Sequence, residues 1–145
     1  MALHGTAFLL LIANGVWDVA CAFFMLVEML PISDSCLVSS CMADTHFALW
    51  AQEADRSNPA AKVLFTILVL QWGVMRFVAA FDDNVMMALF SYGFEALLML
   101  VGLAAGMLEP RKGCAVLALS LACALVLLVL PPDSPKNHHN NNKTD

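Results

Sequence analysis

Six side chains stand out because they carry charge or strong hydrogen-bonding groups inside otherwise apolar runs: Asn14, Asp18, Gln71, Arg76, Tyr92 and Glu95. Asn14 and Asp18 are four residues apart, and Tyr92 and Glu95 are three apart. Either spacing puts both members on one face of a helix. A carboxylate or guanidinium in hydrocarbon is expensive, about 2.5–3.5 kcal/mol at a helix centre on insertion scales. Pairing inside a bundle offsets that cost. The expectation is that Arg76 pairs with Asp18 or Glu95, with Asn14, Gln71 and Tyr92 completing the hydrogen bonds. Two carboxylates facing one guanidinium leave a formal charge of −1 when all are ionised. A proton, a cation or a cationic ligand would balance it. The chemistry open to such a layer is proton or small-ligand binding, or simple interhelical glue. Arg76 can also extend outward to the headgroups beside Asp82 and Asp83.

Helices must carry these groups through the bilayer. Of the 145 residues, 61% are hydrophobic and 13% charged, against roughly half and a quarter in soluble domains. The apolar residues fall in four long runs, so the expected fold is all-α, an integral membrane four-helix bundle. The spans are read at 5–30, 59–81, 85–108 and 114–130, within one domain over 1–131. Residues 132–145 form a polar, low-complexity tail expected to be disordered. Asn58-Pro59 is a start signal, a cap followed by Pro at the first helical position. Asp82-Asp83-Asn84 is a tight turn, and Glu109–Gly113 is read as the next break. Within the first connector, Asp44 and Thr45 begin a pattern that predicts a short amphipathic helix to about Arg56, lying at the membrane surface and including Trp50. Ala20-Cys21-Ala22 resembles a cleavage site, but no Lys or Arg precedes the apolar run, so a retained first helix is expected.

Helical rise places the polar groups at a common depth. From the side holding both termini, Asn14 lies about 14 Å, Asp18 about 20 Å, Arg76 about 9 Å, Gln71 about 16 Å, Tyr92 about 12 Å and Glu95 about 17 Å deep. Arg56, Lys62, Arg111 and Lys112 fall on the opposite side, and Lys136 and Lys143 on the side of the termini. The bias puts the side bearing the long connector in the cytoplasm. A disulfide between Cys36 and Cys41, in that connector, would argue the reverse.

Small residues suggest packing. Gly102 and Gly106 in the third run, and Ala118 and Ala122 in the fourth, are spaced for close helix approach. They predict a tight contact between these two helices or with another copy or subunit. The fourth run is otherwise plain and reads as a packing element.

Several functions are excluded or unsupported. The net charge of −5 supplies no basic stripe for nucleic acid. No Gly-rich phosphate loop, zinc-protease pattern or nucleophile elbow is present. The separation of Cys36 and Cys41 does not match a metal knuckle. No metal or other cofactor is expected, and an enzyme is the least favoured class. The remaining readings are a scaffold or accessory subunit of a membrane complex, with a membrane protein or another copy as partner, and a carrier or ligand-binding protein built on the polar layer. Trp72-Gly-Val-Met-Arg76 with Ala79-Ala80, followed by an acidic residue in the next helix, is similar to small four-helix membrane families, the DoxX-like and sterol-scaffold proteins. That similarity covers helices two and three and implies no residue roles.

Overall fold

The computed structural model describes residues 5–29, 49–51 and 58–130. Four helices account for most of them: α1 (Gly5–Met29), α2 (Pro59–Phe81), α3 (Val85–Ala104) and α4 (Pro110–Val129). Each is long and apolar enough to cross a membrane, so the described residues form an all-α arrangement of helices of membrane-spanning length. Their outer faces stay apolar, with Leu9, Ile67, Phe90 and Leu128 all exposed. Such a surface suits a lipid solvent, which leaves only the backbone and interior polar groups to be satisfied within the protein.

Local chemistry sets the helix ends. The Asn58 side chain accepts from Ala60 N at 3.1 Å and Ala61 N at 3.4 Å, ahead of Pro59. Asn84 accepts from Met87 N at 3.0 Å and starts α3. Asp83, at φ 52, makes the reversal between α2 and α3.

The α3–α4 boundary differs from the sequence expectation. α3 stops at Ala104 rather than 108, and α4 starts at Pro110 rather than 114, giving it 20 residues. Glu109-Pro110 acts as Asn58-Pro59 does: the Glu109 carboxylate accepts from Lys112 N at 2.8 Å, and Pro110 occupies the first turn. Upstream, Gly106 has φ +68. Its N–H reaches Leu103 O at 3.1 Å, and Met107 N reaches Gly102 O at 2.9 Å. These are the paired bonds of a Schellman ending, where a left-handed glycine closes the helix.

The expected small-residue seam is therefore not formed. Gly106 lies in the turn and is not on a helix face. Gly102 faces Leu108 of that turn, whose Cδ1 would lie 2.7 Å from a Cβ there. Ala118 and Ala122 are both exposed. α3 and α4 do pack against each other, but α4 uses the face bearing Gly113, Ser120, Cys123 and Leu127.

The close crossing lies elsewhere, between α1 and α2. A Cβ on Gly73 would sit 3.0 Å from Gly15 O, and a Cβ on Gly15 would sit 3.1 Å from Gly73 O. Only glycine lets two backbones approach this closely. α2 also contacts α3, whereas α1 and α4 barely touch. Two apolar clusters fill the bundle. One, at the end holding the termini of α1 and α4, includes Leu11, Ala79, Ala88 and Leu127. The other includes Cys21, Met25, Val69, Trp72 and Met99.

Leu49–Ala51 closes the second end. Ala51 N donates to Met107 O at 2.9 Å, and Glu109 N donates to Leu49 O at 2.7 Å, pairing Trp50 with Leu108 as an antiparallel bridge. This corrects the surface-helix expectation for these three residues, because their backbone groups bond to the α3–α4 turn. The rest of that expected helix, Cys36 and Cys41 with the free-thiol and disulfide alternatives for them, and the tail 132–145 lie outside the described residues.

Candidate functional site

Asp18, Arg76 and Glu95 meet between the two apolar clusters. The crossing at Gly15 and Gly73 places them. Asp18 is three residues past Gly15, and Arg76 three past Gly73, on helices that run in opposite directions. Side chains lean toward the N-terminus of their own helix, so Asp18 and Arg76 lean back toward the crossing and toward each other. Arg76 Nη1 donates to Asp18 Oδ2, and Nη2 donates to Glu95 Oε2. One guanidinium thus joins three helices. Arg76 is 3% exposed, Asp18 6% and Glu95 9%, so none of them snorkels to a surface. A buried pair gains its strength from low dielectric and geometry, and losing one partner exposes the other to the full cost of burial.

Aromatic and amide groups extend the cluster. The Arg76 Cζ lies 4.2 Å from the centroid of the Tyr92 ring, a cation–π contact. Asn14 Nδ2 donates to Tyr92 Oη at 2.6 Å and approaches Cys123 Sγ at 3.7 Å. Asn14, Asp18, Arg76, Tyr92 and Glu95 are therefore brought together. Gln71 is not, for it is exposed on the outer face of α2. It matches the others in depth but sits five residues from Arg76, about 140° around the helix. The residue on Arg76's face one turn back is Trp72.

A cavity of about 160 Å³ borders the cluster, lined by Asn14, Asp18, Arg76, Tyr92 and Glu95 and by residues of α4. Trp17 and Leu119, each more than half exposed, flank it from α1 and α4. The opening is thus the gap where α1 and α4 fail to pack. Asp18 lies about 20 Å from one end of α1 and about 17 Å from the other, and Leu119 about 14 Å and about 15 Å from the ends of α4. The gap lies midway along these two helices and faces sideways. Leu49, 5% exposed, closes the cavity from the connector end.

Sequence reasoning missed six contributors, Trp17, Leu49, Val116, Leu119, Ser120 and Cys123. Ser120 and Cys123 make α4 part of the site. Ser120 was legible as the polar residue on the Gly113–Leu127 face; its hydroxyl donates to Val116 O at 3.0 Å. Leu49 and Trp17 gave no signal, since each reads as an ordinary apolar residue. Three buried donors lack partners among the described residues: Trp72 Nε1, Arg76 Nε and Ser91 Oγ. Unpaired buried polar atoms are rare and call for an explanation.

Chemically, the arrangement offers two carboxylates and a fixed guanidinium beside a mid-span space, with orphan donors close by. It can accept hydrogen bonds from a cationic group and donate to an oxygen. Comparison with known proteins finds no matching family model, no similar curated protein and no similar solved structure.

Proposed function

We propose that this chain is a membrane ligand-binding or carrier protein, with the Asp18–Arg76–Glu95 layer as the polar part of its site. The observation that carries this reading is the cavity of about 160 Å³ against the buried cluster, open at mid-span between α1 and α4. Structural glue alone needs the charges paired and the space filled. Here the charges are paired and a cavity borders them. A ligand reaching the site from the lipid crosses no aqueous surface, which fits an amphiphile better than a soluble metabolite.

The test is native mass spectrometry of the full chain purified in mild detergent, beside the doubly substituted Asp18→Asn, Glu95→Gln protein. The parent is expected to retain a stoichiometric small amphiphile that the folded variant has lost. Equal retention by both proteins, or none by either, overturns the reading.

A second reading is supported by α4. It packs chiefly on α3 and presents Ala118 and Ala122 outward, a face on which a partner helix can approach closely. In that case the chain is a scaffold or accessory subunit. Ala122→Leu then abolishes co-purification of a defined membrane protein while leaving ligand retention intact.

A further inference from the structure

Three cavities share wall residues in succession, the last opening outward between α2 and α3 past half-exposed Val101 and Met107. The first is the polar one at Asp18, Arg76 and Glu95. The second, of about 40 Å³, keeps Asp18, Leu49, Glu95 and Val116 as walls and adds Phe65, Trp72 and Met99. The third, of about 210 Å³, shares Phe65, Trp72 and Met99 with the second and continues between α2 and α3 toward Trp50 and Leu108. Together they reach the roughly 300–1,000 Å³ of small-molecule pockets. One end is charged. The other is walled by aromatic, aliphatic and thioether groups, with Trp50 and Phe65 edge-to-face at 6.0 Å.

We infer that this row of cavities holds one elongated amphiphile, its amino-alcohol head between Asp18 and Glu95 and its single apolar chain running past Trp72 to Trp50. The inference rests on the ligand-binding reading above and adds the class of ligand. Charge selects the head. With all three groups ionised the cluster counts two carboxylates against one guanidinium, so an ammonium neutralises it and a carboxylate or phosphate is repelled. Arg76 Nε and Trp72 Nε1 are donors without acceptors, and both residues line the row. A hydroxyl oxygen beside the ammonium supplies an acceptor that a bare amine lacks. The tail follows from the shared walls: from the charged end the second cavity leads toward the apolar groove, whose lining suits methylenes.

The chain's three tryptophans mark this row, Trp17 at the polar mouth, Trp72 midway and Trp50 at the apolar end. Bromine quenches an indole it touches, so a long-chain amino alcohol brominated at its tail tip reports where the tail lies. The experiment titrates this probe into the detergent-solubilised full chain and into its Trp17→Phe and Trp50→Phe variants, with ethanolamine as the tail-less comparison. Saturable quenching is expected in the parent, preserved in Trp17→Phe and reduced at least about twofold in Trp50→Phe. The long-chain probe should bind at least about a hundredfold more tightly than ethanolamine, and Leu68→Trp, which fills the groove, should remove most of that advantage. Equal quenching in the two Phe variants, or ethanolamine binding as tightly as the probe, overturns the tail placement and leaves a head-only site. Saturable binding of neither compound overturns the ligand-binding reading as well.

Discussion

α1 meets its two neighbours in opposite ways. Against α2, glycine backbones touch at Gly15 and Gly73, with no room for a methyl group. Against α4, the facing surfaces stand apart around a cavity lined by Asp18, Arg76 and Glu95. The tight seam fixes where the charges are, and the loose seam leaves a cavity beside them. Both features lie within a single turn of α1, since Gly15 and Asp18 are three residues apart. A bundle that needed the ion cluster only to hold its helices together would gain by closing the second seam too, because dispersion contacts are lost along an empty wall.

This contrast can be broken at the charges first. Arg76→Leu leaves Asp18 and Glu95 buried without their partner, and the expected loss is about 3–5 kcal/mol, read as lower yield and a lower unfolding midpoint in detergent. Replacing all three residues with Leu should recover most of that loss, because a buried ion cluster is often no more stabilising than an apolar one. The recovered protein should bind no ligand.

Breaking the tight seam comes next. Gly73→Val places a side chain where Val19, Asp18 and Gly15 already stand within 3.0 Å. Overpacking of this kind costs about 1–3 kcal/mol, and separation of α1 from α2 also draws Asp18 off Arg76. Thermal unfolding should report the first effect and reduced ligand retention the second. The loose seam should behave differently. Leu119→Phe, at the mouth, is expected to leave stability within about 0.5 kcal/mol and still weaken ligand binding by narrowing the entrance. Gln71→Leu, on the outer face of α2, should change neither stability nor binding measurably. A large effect there would mean that the outer face of α2 meets a partner.

The helices were legible because lipid imposes a coarse rule of length and apolarity, and every span obeys it. The ion cluster was legible for the same reason: Asp18, Arg76 and Glu95 stand out against apolar neighbours, and helical rise alone puts them at similar depth. Depth was not enough for Gln71, which shares the layer but points outward; its angle relative to Arg76 decides the matter. Glycines were harder. Gly102 and Gly106 have the spacing of a packing motif, yet Gly106 ends α3 by taking a left-handed conformation. Gly15 and Gly73 have no glycine four residues away on their own helix, so a pattern search within one segment passes over them. Pro110 was read as a break when, behind a capping Glu109, it begins a helix. Leu49 and the cavity it closes depend on a bridge between distant segments, for which no local pattern exists.

The account turns on whether the layer beside α4 is an open, cation-favouring space within the membrane span. Ser120, 3% exposed, lines that space, whereas Ala88, also buried, lies in the apolar cluster at the other end. In a background with the native cysteines replaced, Ser120→Cys and Ala88→Cys are compared for their rates of modification by a cationic and an anionic methanethiosulfonate of similar size. The account predicts modification at position 120 that is at least about tenfold faster than at 88 and faster with the cationic reagent, as a surplus carboxylate requires. Equal, slow modification at both positions, or a preference for the anionic reagent at 120, would contradict it.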